Sequence, residues 1–162
     1  MSTKSYSTSN RFKRFACAVL FTFSLVSLTS HAAEDSLSQI ANVERAANQL
    51  YQALSAKDAK KFASYLPEQG FSEINPDWEG ARILTMEMFN RIFQSGASIN
   101  LGISELKVQL LDTTHAVVTG YRVGTIAAPN SAPLASKLPL SMVWQFEGDG
   151  WKLKHVHLSK EK

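Results

Sequence analysis

In the first half of the chain, apolar residues recur at steps of three and four, as is typical of amphipathic helices. A first helix is predicted from about Ser36 to Ser55, with Asp35 or Ser36 able to cap its first turn. A second, short helix is predicted over Asp58–Leu66, because the residue before Pro67 avoids helical backbone. A third helix is predicted to end at Gly96, and its apolar stripe consists of Ala81, Leu84, Met88, Phe89 and Ile92.

From Asn100 onward the apolar period changes to two, which indicates strands with one buried face. Three helices followed by several strands predict an α+β fold, with the helices packed on one face of a strongly curved antiparallel sheet. The predicted strands lie around Leu106–Leu110 and over His115–Ile126, Leu138–Glu147 and Trp151–Ser159, with a short fifth strand at Phe71–Ile74.

The last two strands form a predicted hairpin whose tight turn lies at Gly148 and Asp149. In that register one face carries Met142 and Trp144 together with His155 and His157. This face is the richer in large apolar side chains, so we expect the helices to cover it and both histidines to point inward. The opposite face is expected to be outward and moderately apolar, and it carries Ser141, Val143, Gln145, Val156 and Leu158.

The N-terminal segment has the pattern of a secretory signal peptide. A basic stretch precedes the apolar segment Phe15–Leu28, and Ser30 and Ala32 occupy the small positions of a cleavage site. The apolar segment is shorter than the roughly 20 residues that span a bilayer, which favours cleavage over an uncleaved membrane anchor. We therefore predict a signal peptide at residues 1–32, a mature domain at residues 33–162, and export to the periplasm or the medium.

Cleavage changes what the charge of the chain implies. The full sequence has 17 Lys and Arg against 14 Asp and Glu, and its net charge of +3 invites a nucleic-acid partner. Four of the basic residues and the single cysteine, Cys17, lie in the predicted leader. The remaining 13 basic and 14 acidic residues give a mature net charge of −1. We therefore expect neither a nucleic-acid partner nor, after cleavage, a membrane partner.

Three segments of the sequence resemble one family. Trp78-Glu79-Gly80, the strand segment Ala116–Tyr121 and the closing GDGWKLKHVHLS are similar to the SnoaL-like branch of the nuclear transport factor 2-like superfamily. The resemblance covers about Val43–Ser159. It implies a cone-shaped α+β fold, a closed-ended pocket between helices and sheet, and frequent homodimerisation. The superfamily includes isomerases, cyclases, dehydratases, epoxide hydrolases and non-catalytic association domains, so the resemblance constrains fold more than function.

The candidate site residues follow from the predicted inner face and from the resemblance. His155 and His157 can anchor a carbonyl or anionic group or transfer a proton, and Glu73 or Asp77 can supply an acid–base carboxylate. The alternative is a purely structural role, in which these side chains fill the end of the pocket and hydrogen-bond to buried polar groups. No cofactor is expected, and no metal, since two histidines lack a convincing third ligand. The predicted pocket wall consists of Tyr51, Tyr121, Met142 and Trp144, with His155 and His157 as polar anchors.

Three functions remain open from the sequence. The leading one is an exported, homodimeric domain that binds a small apolar or carbonyl-containing molecule. The second is a cofactor-independent isomerase, cyclase or dehydratase that uses a histidine with Glu73 or Asp77. The inward Trp144 and Phe146 depart from the isomerase pattern. Arg122 and Asp112 do not complete the Asp–Arg–Asp arrangement of the epoxide hydrolases, because the alternation predicts that Arg122 points away from the face of Tyr121. The third is a protein-interaction module.

Overall fold

The computed structural model of the chain describes the backbone of residues 25–160 and the side chains of residues 33–160. The predicted signal peptide, residues 1–32, lies outside the residues whose side chains are described. Residues Glu34–Lys162 form one compact unit. Among the described residues, no helix combines the length and the apolar character needed to cross a membrane.

The described segment is an α+β domain with three helices and a six-stranded sheet, in agreement with the predicted class. The sheet order is β2-β1-β6-β5-β4-β3, and all neighbouring strands are antiparallel except β1 and β6. The helices are α1 (Leu25–Ala56), α2 (Ala59–Ala63) and α3 (Met86–Gln94). The strands are β1 (Phe71–Ile74), β2 (Ala81–Leu84), β3 (Ser98–Leu110), β4 (His115–Ala127), β5 (Leu134–Phe146) and β6 (Trp151–Leu158).

Helix α1 begins at Leu25 and not near Ser36 as predicted. The segment between them contains neither glycine nor proline, so nothing in it ends the helix. Asp35 and Ser36 therefore lie within α1 and do not cap it. Helix α2 agrees with its prediction more closely, since Oδ1 of Asp58 accepts a bond from the backbone N–H of Lys61 at 2.9 Å.

The segment Ala81–Leu84, predicted to begin the third helix, is strand β2. Apolar residues at Ala81 and Leu84 fit the spacing of a helix, but pairing with β1 decides the conformation, and Leu84 lies opposite Phe71. Helix α3 begins only at Met86, where Oγ1 of Thr85 accepts a bond from the backbone N–H of Met88 at 3.5 Å.

The hairpin of β5 and β6 contains one irregularity that exchanges the two faces of β6. Trp144 pairs with Leu153 as predicted, but the adjacent Val143 pairs with His155. Lys154 is therefore an extra residue in β6, which is the geometry of a β-bulge. A bulge of one residue moves every following side chain to the other face.

The prediction that His155 and His157 point inward is consequently wrong. Met142 and Leu140 lie opposite Val156 and Leu158, so these two residues of β6 point inward and not outward as predicted. His155 is half-buried and His157 is exposed. We call the helix-covered side of the sheet the inner face and the other side the outer face; the outer face includes Ser72, Val117, Thr119, Tyr121, Ser141, Val143, His155 and His157.

One hydrophobic cluster joins the helices to the inner face of the sheet. Helix α1 contributes Val43 and Leu50 to it, and α2 contributes Phe62. The predicted inward orientation of Met142 and Trp144 is confirmed, since both side chains are fully buried. This cluster surrounds the site described below.

Candidate functional site

A cavity of about 270 Å³ lies between the helices and the inner face of the sheet. Its size is close to the lower end of the roughly 300–1,000 Å³ range of small-molecule sites. Its lining includes the polar side chains of Tyr51, Glu73, Asn75 and Arg122. Most of the wall is apolar and includes Leu54, Phe62, Met88, Phe89, Leu101 and Leu153.

A cluster of phenylalanines forms one part of this wall. The ring of Phe62 on α2 lies with its centroid 4.6 Å from that of Phe89 on α3. Phe71 on β1 stacks on the same Phe89 at 6.0 Å. Such offset and tilted ring pairs hold aromatic side chains in defined positions. The wall is therefore fixed by contacts between three different elements.

Glu73 reaches the cavity because β1 alternates Phe71 and Glu73 inward with Ser72 and Ile74 outward. Its side chain is only 9 % exposed. Nδ2 of Asn75 donates a hydrogen bond to Oε1 of Glu73 at 3.1 Å. Burial raises the pKa of Glu73, although the bond from Asn75 and the charge of Arg122 both act to lower it. The carboxyl group thus keeps its proton to a higher pH than an exposed glutamate does.

Arg122 reaches the cavity from β4, where it alternates with the outward Tyr121. Its Nε is shielded from solvent and has no hydrogen-bond partner among the described residues. The ion pairs within residues 33–160 do not include Arg122 either. A shielded donor without an acceptor is unfavourable, and a ligand oxygen can correct this.

Tyr51 places a phenol in the same cavity from α1, where it is 6 % exposed. Burial raises the pKa of Tyr51, Arg122 acts to lower it, and Glu73 acts to raise it. The hydroxyl therefore stays protonated and can donate a hydrogen bond. Tyr51 can supply a neutral donor and Arg122 a cation to a ligand, and Glu73 can donate as long as it holds its proton.

The structure brings together only part of the predicted site. Tyr51 and Glu73 line the cavity as expected. Met142 and Trp144 point inward but lie in the core, and neither is among the residues that line the cavity. Asp77 is exposed and forms an ion pair with Lys160, with an N–O distance of 2.7 Å. Of the predicted pocket wall, Tyr51 therefore lines the cavity and the two strand residues do not.

The remaining predicted site residues lie on the outer face. Tyr121 was expected in the pocket wall, but it lies with His157 in a shallow depression of the outer face that also includes Lys107 and Ser141. Because Glu73 pairs with Val156 and points inward, it and the histidines occupy opposite faces of the sheet. The structure therefore does not bring Glu73 together with His155 or His157.

Arg122 and Asn75 are the polar cavity residues that the sequence reasoning missed. The sequence contained a sign that Arg122 points inward, because Ala116 and Val118 lie an even number of residues before it on the same strand. Both are small apolar residues, and both are fully buried. Placing these on the inner face puts Arg122 inward. Asn75 lies after the end of β1, where alternation makes no prediction.

A metal site needs several acidic, histidine or cysteine side chains close together. Among residues 33–160, no group of three or more lies close enough together to hold a metal ion.

A family model described as the SnoaL-like domain matches residues 43–160 of the chain. The match extends from α1 to the end of β6 and so includes every residue of the cavity. No curated protein matches the sequence closely enough to count as a relative.

Several solved structures have the same fold. The CaMKII hub homology domain from Chlamydomonas reinhardtii is 18 % identical over 76 % of this chain and 98 % of its own, with a TM-score of 0.61. A candidate dehydratase of the nuclear transport factor 2-like family from Streptomyces avermitilis is 16 % identical over 77 % and 98 %, with a TM-score of 0.65. A ketosteroid isomerase-like protein from Erwinia carotovora is 16 % identical over 76 % and 97 %, with a TM-score of 0.56.

Proposed function

The chain belongs to the SnoaL-like domain family, and on that premise we propose that its cavity binds a small, largely apolar molecule. The observation that carries the proposal is an apolar cavity into which Tyr51, Glu73 and Arg122 converge. An enclosed apolar wall with a few convergent polar groups is the usual composition of a small-molecule site. The wall supplies affinity by burying apolar surface, and the polar groups orient the ligand.

Native mass spectrometry of the domain, purified gently from its own host, tests this proposal. We expect a bound mass that is retained under soft ionisation and lost on denaturation. Substituting Leu54→Trp places a larger side chain in the cavity wall and should reduce the bound fraction. Leu111→Trp is the matched control, since Leu111 is 58 % exposed and lies away from the cavity. A wild-type protein without bound mass, or equal binding by both variants, contradicts the proposal.

A second function is favoured by the raised pKa of Glu73. A buried carboxyl group with a raised pKa, next to a phenol in an apolar cavity, can transfer a proton to or from a ligand carbon or oxygen. In this alternative the domain is an isomerase- or dehydratase-type enzyme in which Glu73 is the acid–base group, and Tyr51 donates to a carbonyl oxygen. The histidines take no part.

Exchange of the α-protons of 2-tetralone in D₂O tests the alternative without knowledge of the natural substrate. We expect exchange faster than in buffer, slowed by Glu73→Gln and unchanged by Glu79→Gln, which alters an exposed residue in the loop after β1. Exchange at the buffer rate contradicts the enzymatic alternative but not the proposal that the cavity binds a ligand.

We also propose that the domain forms a homodimer through its outer face. Val117, Val143 and His155 are half-buried there, and Tyr121 contributes an aromatic ring. A sheet face that exposes valine and tyrosine side chains among polar ones is a common site of association between identical subunits. The similarity to a hub homology domain is consistent with such a role but concerns the fold alone.

Export is the remaining part of the proposal. It rests on the basic and apolar pattern of residues 1–32 and on the small residues Ser30 and Ala32. The intact mass of the protein recovered from the periplasm or medium should correspond to a chain that begins at Ala33. An uncleaved chain that remains in the cytoplasm contradicts it.

A further inference from the structure

The charges in the cavity wall restrict the chemical class of small molecule that the cavity can bind. Arg122 introduces a positive charge into a wall that is otherwise almost entirely apolar. Guanidinium groups keep their charge at any physiological pH, so the cavity cannot remove this charge by losing a proton. A ligand without an acceptor would bury the cation further and leave its shielded Nε unpaired.

Glu73 is the acidic residue of the cavity, and it does not form an ion pair with Arg122. Asn75 donates a hydrogen bond to the carboxyl group of Glu73. Burial disfavours the charged form of Glu73. A neutral Glu73 can donate its proton in a hydrogen bond. The cavity thus offers a cation at Arg122 and an O–H donor at Tyr51, together with a second O–H donor at Glu73 while that carboxyl group holds its proton.

We infer that the ligand is a small apolar monocarboxylate whose carboxylate binds Arg122 and whose hydrocarbon body lies against Phe62, Phe71 and Phe89. This inference rests on the proposed function, since it names the class of molecule that the same cavity takes. A planar guanidinium and a carboxylate form parallel, charge-assisted hydrogen bonds, which fixes the orientation of the ligand. The phenylalanines then set the shape of the apolar part.

An anionic ligand also couples binding to the protonation of Glu73. A carboxylate next to Arg122 adds negative charge close to Glu73 and therefore favours its neutral form further. The groups that face Glu73 are Arg122 on β4, Tyr51 on α1 and Asn75 after β1. Deprotonation of Glu73 would place a second negative charge beside the bound carboxylate, so binding of the carboxylate weakens as rising pH removes the Glu73 proton.

Isothermal titration calorimetry with octanoate, 1-octanol and octylamine tests the inference, because these probes share one apolar body. The wild-type domain should bind octanoate at least about tenfold more tightly than octanol, the ratio expected for a charge-assisted hydrogen bond. Arg122→Gln should abolish this preference, because it should weaken the binding of octanoate far more than that of octanol. Arg91→Gln is the control, since Arg91 is an exposed residue of α3 paired with Glu87.

Arg122→Lys distinguishes the effect of the positive charge from that of the planar guanidinium. It replaces Arg122→Gln in the experiment if that variant does not fold. It should retain part of the octanoate preference, because it keeps the cation but loses the fork of donors. Equal binding of octanoate and octanol by the wild type overturns the inference and leaves the proposed function standing. Tighter binding of octylamine, or a preference that survives Arg122→Gln, also overturns it. If none of the three probes binds, both the inference and the proposed function fail.

Discussion

Oγ of Ser72 lies 2.7 Å from Nδ1 of His155, and this hydrogen bond joins β1 to β6 on the outer face of the sheet. It gives His155 a partner away from the cavity. The bond is possible because the bulge at Lys154 turns His155 towards the side of Ser72. The inner face of β6 is then left to Leu153, Val156 and Leu158, which line the cavity.

His155 should titrate at a lower pH than an exposed histidine. Desolvation and the neighbouring charge of His157 both lower the pKa of His155 from its ordinary value of 6.5. Substituting His157→Gln removes the second cause and should raise the pKa of His155 towards that value. Because the folded pKa is the lower one, stability is lost as the pH falls below 6.5.

NMR titration of the imidazole protons measures this pKa directly. His115→Gln is the control, because His115 is paired with Asp112 at the start of β4. A pKa of His155 that does not respond to His157→Gln would show that the two rings do not interact.

Glu73→Gln should make the domain more stable at neutral pH and leave it almost unchanged in acid. Burial raises the pKa of Glu73 above its ordinary value of 4.5, so the folded protein holds this proton where the unfolded chain has lost it. Stability therefore falls as the pH rises through the interval between these two pKa values. Glutamine resembles the protonated carboxyl group and removes this dependence.

Thermal unfolding from about pH 4 to about pH 8 measures the effect of Glu73→Gln across that interval. Glu68→Gln, at an exposed position, should leave the pH dependence of the wild type intact. A wild-type stability that rises from pH 4 to pH 8 as much as that of the Glu73→Gln variant contradicts the assigned burial of the carboxyl group.

Gly124→Ala should destabilise the domain through the backbone of β4. A Cβ at this position would lie 2.0 Å from the carbonyl oxygen of Asn100 on β3, and the φ of Gly124 is +122°. The clash and the strained backbone together should cost about 3 kcal/mol. At Gly148, with a φ of +79° and nothing within 4 Å of an added Cβ, alanine should cost only about 1 kcal/mol.

Denaturant unfolding compares the two glycine variants. If both variants lose the same free energy of unfolding, β3 moves away from β4 without a cost in stability, which contradicts the prediction. Arg122 lies two residues before Gly124 on the same face, so the Gly124→Ala variant should also bind cavity ligands more weakly.

Val143→Glu should convert the proposed homodimer to a monomer. Val143 is half-buried in the centre of the outer face, and a carboxylate there would have to lose its hydration at an interface between two copies. Light scattering after size exclusion measures the mass of each species. Gln52→Glu, on an exposed position of α1, should leave the dimer intact; a wild type that is already monomeric at micromolar concentration contradicts the dimer.

The sequence predicts most of this fold because its strands alternate regularly. The strand at Phe71–Ile74, the inward orientation of Met142 and Trp144, and the pairing of Trp144 with Leu153 are all confirmed. The alternation fails at Lys154, where one extra residue changes the face of His155 and His157. Two consecutive polar residues between Leu153 and Val156 were the local sign of that bulge.

The candidate site was less predictable than the fold. It depends on which of two adjacent residues, Tyr121 or Arg122, points inward, and a tyrosine is the more usual choice for an interior. Arg122 is tolerated there because a cavity borders it. A cavity is a property of the packing of several elements, and no single segment encodes it.

Chemical-shift perturbation of the backbone amides by octanoate tests the central claim most directly, because it locates binding residue by residue. We predict that the shifts concentrate at Leu54, Met88 and Leu153, which line the cavity from α1, α3 and β6. The amides of Ser141 and Thr119, on the outer face, should remain unchanged. Shifts confined to the outer face, or no shifts at saturating octanoate, would contradict a ligand-binding cavity.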